Sequence, residues 1–127
     1  MTVKTRNGEQ QIDTDEYPRQ TSLEQLAALK ATFQENGSVT AGNASGMNDA
    51  ASGVIVMSEE KAQQLGCPTL CRIVSVGTTG VDPALMGIGP ISASRKALVK
   101  AGLTMEEVDL VEINEAFAAQ TLACAQE

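Results

Sequence analysis

Apolar residues come in short bursts along this chain, and the spacing inside each burst predicts an element. Leu23, Leu26, Leu29 and Phe33 recur at helical spacing behind Thr21 and Glu24, which fit a capping box. Asn36-Gly37 supplies the left-handed position that stops a helix, so the pattern predicts one near 22–35. Gly53-Val-Ile-Val-Met57 is a continuous apolar run of strand length, as a buried strand requires. Ser58 then opens a short helix that Gly66 closes. Residues 69–77 and Val108 to Ile113 predict two further strands. Between them Pro90 suits the first position of a helix running to about Ala101 and ended by Gly102. Thr104 with Glu107 fits a second capping box over one short turn, and Asn114-Glu115 is expected to open a last helix. Strands alternating with helices predict an α/β fold with parallel pairing. Residues 1–20 are polar and predict an extended or looped arm, and Val39 to Gly46 a loop of small residues with little to pack.

Composition narrows the chemistry. Hydrophobic residues make up 43% of the 127 but aromatic ones only 2%, so a core must be built from Ala, Val, Leu, Ile and Met. Abundant Ala and Gly suit the close backbone approach of helices layered on a sheet. The formal net charge of −7 repels phosphate backbones and argues against nucleic-acid binding. No apolar run approaches the roughly 20 residues of a membrane span, and no polybasic cluster suits a membrane surface. The start, Met1 to Arg6, lacks the apolar region of a signal peptide, which points away from secretion. Three cysteines make no disulfide framework, so a reducing cytoplasm is the simpler expectation. The chain has no histidine, which removes Ser-His and Cys-His pairs and histidine metal sites from what it can supply.

Four local patterns could carry chemistry. Asn114-Glu115 lies where a strand gives way to a helix, the edge at which open α/β sheets place ligands. The same two residues would also serve as an N-cap and a first-turn acid. Gly87-x-Gly89-x-x-Ser92 lacks the third glycine of a dinucleotide fingerprint, and a turn before a proline-started helix accounts for it better. Cys67 and Cys71 have a spacing seen in zinc sites, but with only a distant Cys124 they fall short of four ligands. Buried free thiols on a helix-to-strand connection are expected instead. Glu59-Glu60 and Glu106-Glu107 are sequence neighbours that do not face each other on a helix, so solvated helix faces suffice.

Three stretches together resemble the thiolases. They are Val39-Thr-Ala-Gly-Asn-Ala-Ser-Gly-Met-Asn-Asp49, Met86-Gly-Ile-Gly-Pro-Ile-Ser-Ala-Ser-Arg-Lys-Ala-Leu98 and Asp109-Leu-Val-Glu-Ile-Asn-Glu-Ala-Phe-Ala118, which occur in the family's order, and the resemblance extends over nearly the whole chain. The resemblance implies part of a five-layer αβαβα fold, with mixed sheets packed against helices. Residues 1–48 would be a loop-region remnant with one helix, and 49–68 the last strand and helix of the N-terminal half. Residues 69–127 would be the first β-α-β-α part of the C-terminal half.

The activity implied is the reversible Claisen condensation of two acetyl-CoA to acetoacetyl-CoA through an acyl-cysteine. The substrate is a coenzyme A thioester, no metal or redox cofactor is implied, and the family forms dimers or tetramers. By resemblance Asn114 helps hold a water in an oxyanion hole, its neutral amide donating an N–H. The resemblance also implies that Ser45 contacts the pantetheine arm of coenzyme A. On the same resemblance Ala41, Phe33, Met86, Phe117 and the backbone of Ala116 would line the acyl and pantetheine tunnel. Ala50 stands where the family usually has glycine, and Met47 where it has Ile or Leu. The family's nucleophilic cysteine, its His-Pro-x-Gly motif and its Cys-x-Gly motif have no counterpart in these 127 residues, so the chain is expected to be inactive alone. The rival expectation is a truncated binding or assembly module derived from a thiolase.

Overall fold

Polar segments of this chain complete their own hydrogen bonds, whereas the apolar runs find no partner. The computed structural model describes residues 1–127, which form two compact units, Met1–Lys30 and Ala31–Glu127.

In the first unit, strands β1 (Thr2–Thr5) and β2 (Gly8–Gln11) pair antiparallel in the register Thr2 to Gln11 through Thr5 to Gly8. This hairpin replaces the looped arm expected from the sequence. Its residues are polar on both faces, with only Val3 partly covered, so no hydrophobic alternation announces it. The backbone ladder carries it, helped by Thr2 Oγ1 donating to Gln11 Oε1 at 2.9 Å and by the Thr5 hydroxyl, which donates to the Gly8 carbonyl at 2.9 Å. Helix α1 covers only Leu23–Ala27. Its capping box is Ser22 with Gln25, one residue later than Thr21 with Glu24.

The expected helix to residue 35 does not form, because the chain beyond residue 30 is committed elsewhere. In the second unit Ala31 makes an antiparallel bridge with Thr40, and Thr32 N–H donates to the Val39 carbonyl at 2.9 Å. Asn36, with φ of 57°, turns that loop rather than ending a helix.

The other helices lie where their punctuation predicts them. Helix α2 (Glu59–Leu65) starts at Ser58, whose hydroxyl accepts from Lys61 N–H at 3.2 Å, and stops at left-handed Gly66. Helix α3 (Gly89–Ala101) carries Pro90 in its first turn and ends at left-handed Gly102. A 3₁₀ segment, Pro83–Ile88, leads into it and is capped by Asp82, which accepts from Ala84 N–H at 2.8 Å. Thr104 and Glu107 form the expected box around a 3₁₀ turn, with Thr104 N–H donating to Glu107 Oε2 at 2.8 Å. Helix α4 (Ala118–Ala125) begins three residues later than Asn114 as its cap would have it.

At three of these starts a carboxyl is held below its ordinary range. The Ser22 hydroxyl and a backbone N–H lower Glu24. A backbone N–H and the Ser58 hydroxyl lower Glu60, and a backbone N–H and the Thr104 hydroxyl lower Glu106.

The three predicted strands of the second unit make no ladder: the hairpin is the only sheet. Their apolar side chains stand in solvent, with Val54 89% and Leu110 83% exposed. A strand's N–H and C=O groups need a neighbouring strand, and no segment of this chain provides one. Ala62 is the one buried residue.

Segment 75–79 is the exception, because α3 packs along it. Ser75 Oγ donates to the Ala97 carbonyl at 2.7 Å. Lys100 Nζ donates to the Val76 carbonyl at 2.8 Å, and Lys96 Nζ to the Thr78 carbonyl at 3.2 Å. Gly77 permits the approach, since a Cβ there would collide with the Ala93 carbonyl oxygen and lie 2.9 Å from Ala97 N. No helix is long and apolar enough to cross a membrane.

Candidate functional site

Two of the motif stretches meet through the backbone. Ala44 and Phe117 form an antiparallel bridge. On either side of it Ser45 N–H donates to the Ala116 carbonyl at 3.0 Å and Ala118 N–H donates to the Asn43 carbonyl at 2.9 Å. These two bonds fix the small-residue loop against the start of α4. Alternation along paired backbone puts Ala44 and Phe117 on one face and Ser45 and Ala116 on the other.

On the aromatic face the Phe117 ring meets Phe33 edge to face, with centroids 5.7 Å apart. That geometry suits the ring quadrupoles. Phe33 is held near by the Ala31–Thr40 bridge, which returns its segment to the same loop. Of the seven residues singled out from the sequence, the structure therefore joins Phe33 with Phe117 and Ser45 with Ala116. Ala41 lies exposed on the turn between Thr40 and Asn43.

Met86 stands apart from these five. It sits on the 3₁₀ segment, 70% exposed, and its link to α4 runs through its neighbour. A Cβ on Gly87 would lie 2.9 Å from Gln120 Cγ, and the Cys124 thiol donates to the Gly87 carbonyl at 3.4 Å.

Asn114 settles one alternative. The N-cap of α4 is Phe117, so Asn114 lies three residues before the cap and Glu115 is outside the first turn. The capping account of Asn114-Glu115 is corrected accordingly. The Asn114 carbonyl instead accepts from Ala116 N–H at 3.0 Å, a tight turn that delivers Ala116 and Phe117 to the bridge. Its side-chain amide is exposed and makes no hydrogen bond within the chain, which leaves its N–H free to donate.

The sequence reading missed Asn43. Its Oδ1 accepts from Thr40 N–H at 2.8 Å and its Nδ2 donates to the Ser38 carbonyl at 2.8 Å. An Asn inside a run of Ala, Gly and Ser is the signal, because its amide can replace backbone partners in a turn.

Cys67 and Cys71 are exposed, not buried as expected, since nothing in the chain covers the segment after α2. No group of three His, Cys, Asp or Glu could hold a metal ion. A concavity of about 490 Å³ is lined by Val81, Ile88, Ile91, Ser92, Arg95, Ala123, Gln126 and Glu127, and includes none of the candidate residues.

Residues 1–60 match the family model described as thiolase, N-terminal domain, and residues 67–127 match thiolase, C-terminal domain. The chain belongs to the thiolase family. It straddles the boundary between the family's two domains. A similar curated protein is an acetyl-CoA acetyltransferase of Syntrophomonas wolfei subsp. wolfei, 55% identical over 127 residues, all of this chain and 32% of that protein.

Among solved structures, the Bacillus anthracis acetyl-CoA acetyltransferase superposes with a TM-score of 0.88 at 52% identity, over 98% of this chain and 32% of that one. The human mitochondrial 3-ketoacyl-CoA thiolase in complex with CoA gives 0.83 at 46% identity, over 98% and 31%. The chain thus has the α/β thiolase fold over about a third of the length of these acyltransferase relatives. The partners its three apolar runs lack are consistent with that share.

Proposed function

We propose that these residues serve an acetyl-CoA acetyltransferase, supplying part of the lining of the thioester tunnel and one oxyanion-hole contact for reversible Claisen condensation. The Ala44–Phe117 bridge carries the reading, because it joins the backbone of the loop bearing Ser45 to that of the segment bearing Ala116 and Phe117, two motifs far apart in sequence. In it Ser45 contacts the pantetheine arm of coenzyme A, while Phe33, Ala41, Met86, Phe117 and the backbone of Ala116 line the passage. Asn114 donates its amide N–H to a water that stabilises the developing enolate oxygen. The acyl-carrying cysteine and the acid/base groups come from the part of a thiolase that these 127 residues do not include. The assembly is a cytoplasmic homo-oligomer, dimer or tetramer, needs no metal or redox cofactor, and binds neither nucleic acid nor membrane. The free thiols Cys67, Cys71 and Cys124 suit a reducing compartment.

The test is a chimera in which this chain replaces the matching stretch of the Syntrophomonas wolfei enzyme. Thiolysis is followed by loss of acetoacetyl-CoA absorbance. Turnover within about tenfold of the unaltered enzyme is expected, since 55% of positions are unchanged. The 127-residue chain alone is expected to show none, because losing a nucleophile that works in a unit costs on the order of 10⁶ in rate. A folded but inactive chimera contradicts the reading.

A further inference from the structure

We infer that Asn43 is a positioning residue for the thioester tunnel, a role that rests on the proposal above and extends it to a side chain that does not touch substrate. Three of its groups act together. Its Oδ1 accepts from Thr40 N–H at 2.8 Å and its Nδ2 donates to the Ser38 carbonyl at 2.8 Å, so one amide closes the turn 38–43 from inside. Its own carbonyl then accepts from Ala118 N–H at 2.9 Å, one of the two bonds that hold the loop to α4. Asn43 is partly buried in a loop whose neighbours Ala41, Gly42 and Ala44 have no polar side chain to replace it.

A loop of Thr-Ala-Gly-Asn-Ala-Ser-Gly has few side-chain contacts to hold its shape, and glycine and alanine leave its unbound ensemble broad. The amide confines that ensemble to the one conformation in which Ser45 N–H meets the Ala116 carbonyl. Asn43 therefore sets where the Ser45 hydroxyl and the Phe117 ring stand when a thioester arrives. Without it the binding site is only fractionally populated, which lowers apparent affinity in proportion and leaves the chemical step on bound substrate nearly untouched.

The experiment uses the active chimera and compares Asn43→Ala, Asn43→Asp, Ser45→Ala and Phe117→Ala. Asn43→Ala loses both side-chain bonds and is expected to raise KM for acetoacetyl-CoA on the order of tenfold, with kcat within about twofold. Asn43→Asp keeps the acceptor for Thr40 N–H and loses the donor to Ser38, so its KM should fall between wild type and Asn43→Ala. In the double variant Asn43→Ala, Ser45→Ala, the KM effects should be less than multiplicative, as a residue acting through Ser45 demands.

If Ser45→Ala and Phe117→Ala raise KM while folded Asn43 variants do not, the tunnel wall stands and the inference about Asn43 is overturned. If Ser45→Ala and Phe117→Ala leave KM unchanged as well, the site assignment falls and the role of Asn43 falls with it. Should Asn43→Ala fail to fold, Asn43→Asp decides alone. A raised KM supports the role, and an unchanged KM ends it.

Discussion

The Phe33 ring stands edge-on to the Phe117 ring, centroids 5.7 Å apart and planes at 88°. These are the chain's only two phenylalanines. Their segments are separated by most of the chain, so a loop fixed at both ends is needed to bring them together. The Ala31–Thr40 and Ala44–Phe117 bridges are those ends.

An edge-to-face pair contributes about 0.5–1.5 kcal/mol beyond area burial. In the chimera Phe33→Ala is therefore expected to raise KM for acetoacetyl-CoA roughly two- to tenfold, by loosening Phe117. Phe33→Tyr keeps the ring and should restore most of it. Steady-state kinetics on both variants check this, and an unchanged KM in Phe33→Ala would show that the pair does not shape the tunnel.

Gly77 gives a stability prediction. Its missing Cβ lets segment 75–79 lie against α3, where Ser75, Lys96 and Lys100 bond across the contact. Alanine at this position would strike the backbone at Ala93, which, unlike a flexible side chain, gives way only if the helix shifts. Gly77→Ala is expected to cost about 1–3 kcal/mol in the folded chimera, read by urea unfolding. A cost below about 0.5 kcal/mol, the usual range of a surface substitution, would mean that the helix gives way easily.

Sequence legibility tracked how locally each element is determined. Ser58 with Gly66, Pro90 with Gly102, and Thr104 with Glu107 mark helical segments whose stops and caps are local chemistry, and all three appear where the residues predict them. Leu23 to Phe33 misled because its helical spacing competes with the Ala31–Thr40 bridge, a contact that local pattern does not register. The β1–β2 hairpin was missed for the opposite reason, since pairing of polar residues leaves no apolar period. For 53–57, 69–77 and 108–113 the apolar runs read as strands, but a ladder is a property of two segments, and these find no second one here. At the candidate site the Asn-Glu-Ala-Phe residues were legible as a motif. The service of Asn43 was not, because it depends on a turn closing in three dimensions.

Those unpaired runs lead to the third prediction. Val54, Ile55, Val56, Leu110 and Val111 are exposed beside unsatisfied backbone groups, the arrangement that templates association between chains. With Ala62 as its single buried residue, the 127-residue polypeptide by itself has little core to oppose this. It is expected to associate or to populate an expanded state lacking a sharp thermal transition. Light scattering with differential scanning calorimetry decides the matter. A monomer with one cooperative transition would contradict it.

The last prediction concerns Asn114. The helix begins at Ala118 with Phe117 as its cap, so replacing Asn114 removes no helix cap. Loss of such a cap would cost about 1 kcal/mol of stability and leave the rate alone. Here Asn114→Ala and Asn114→Asp should both leave the melting temperature nearly unchanged, since the Asn114 amide makes no hydrogen bond within the chain and only its backbone carbonyl, at 3.0 Å from Ala116 N, shapes the turn.

The rate should behave differently if the amide donates to the water of an oxyanion hole. Asn114→Ala then removes one donor beside a developing negative charge, expected to lower kcat about 10²–10³-fold. Asn114→Asp replaces the donor with an acceptor and adds a negative charge, so its loss should be larger, although Asp is nearly the same size and shape. The order wild type, Ala, Asp in kcat at constant melting temperature distinguishes an electrostatic role from a steric one, which would rank Asp above Ala. Measured in the active chimera, near-normal kcat in a folded Asn114→Asp variant would end the oxyanion-hole assignment and leave Asn114 a turn residue.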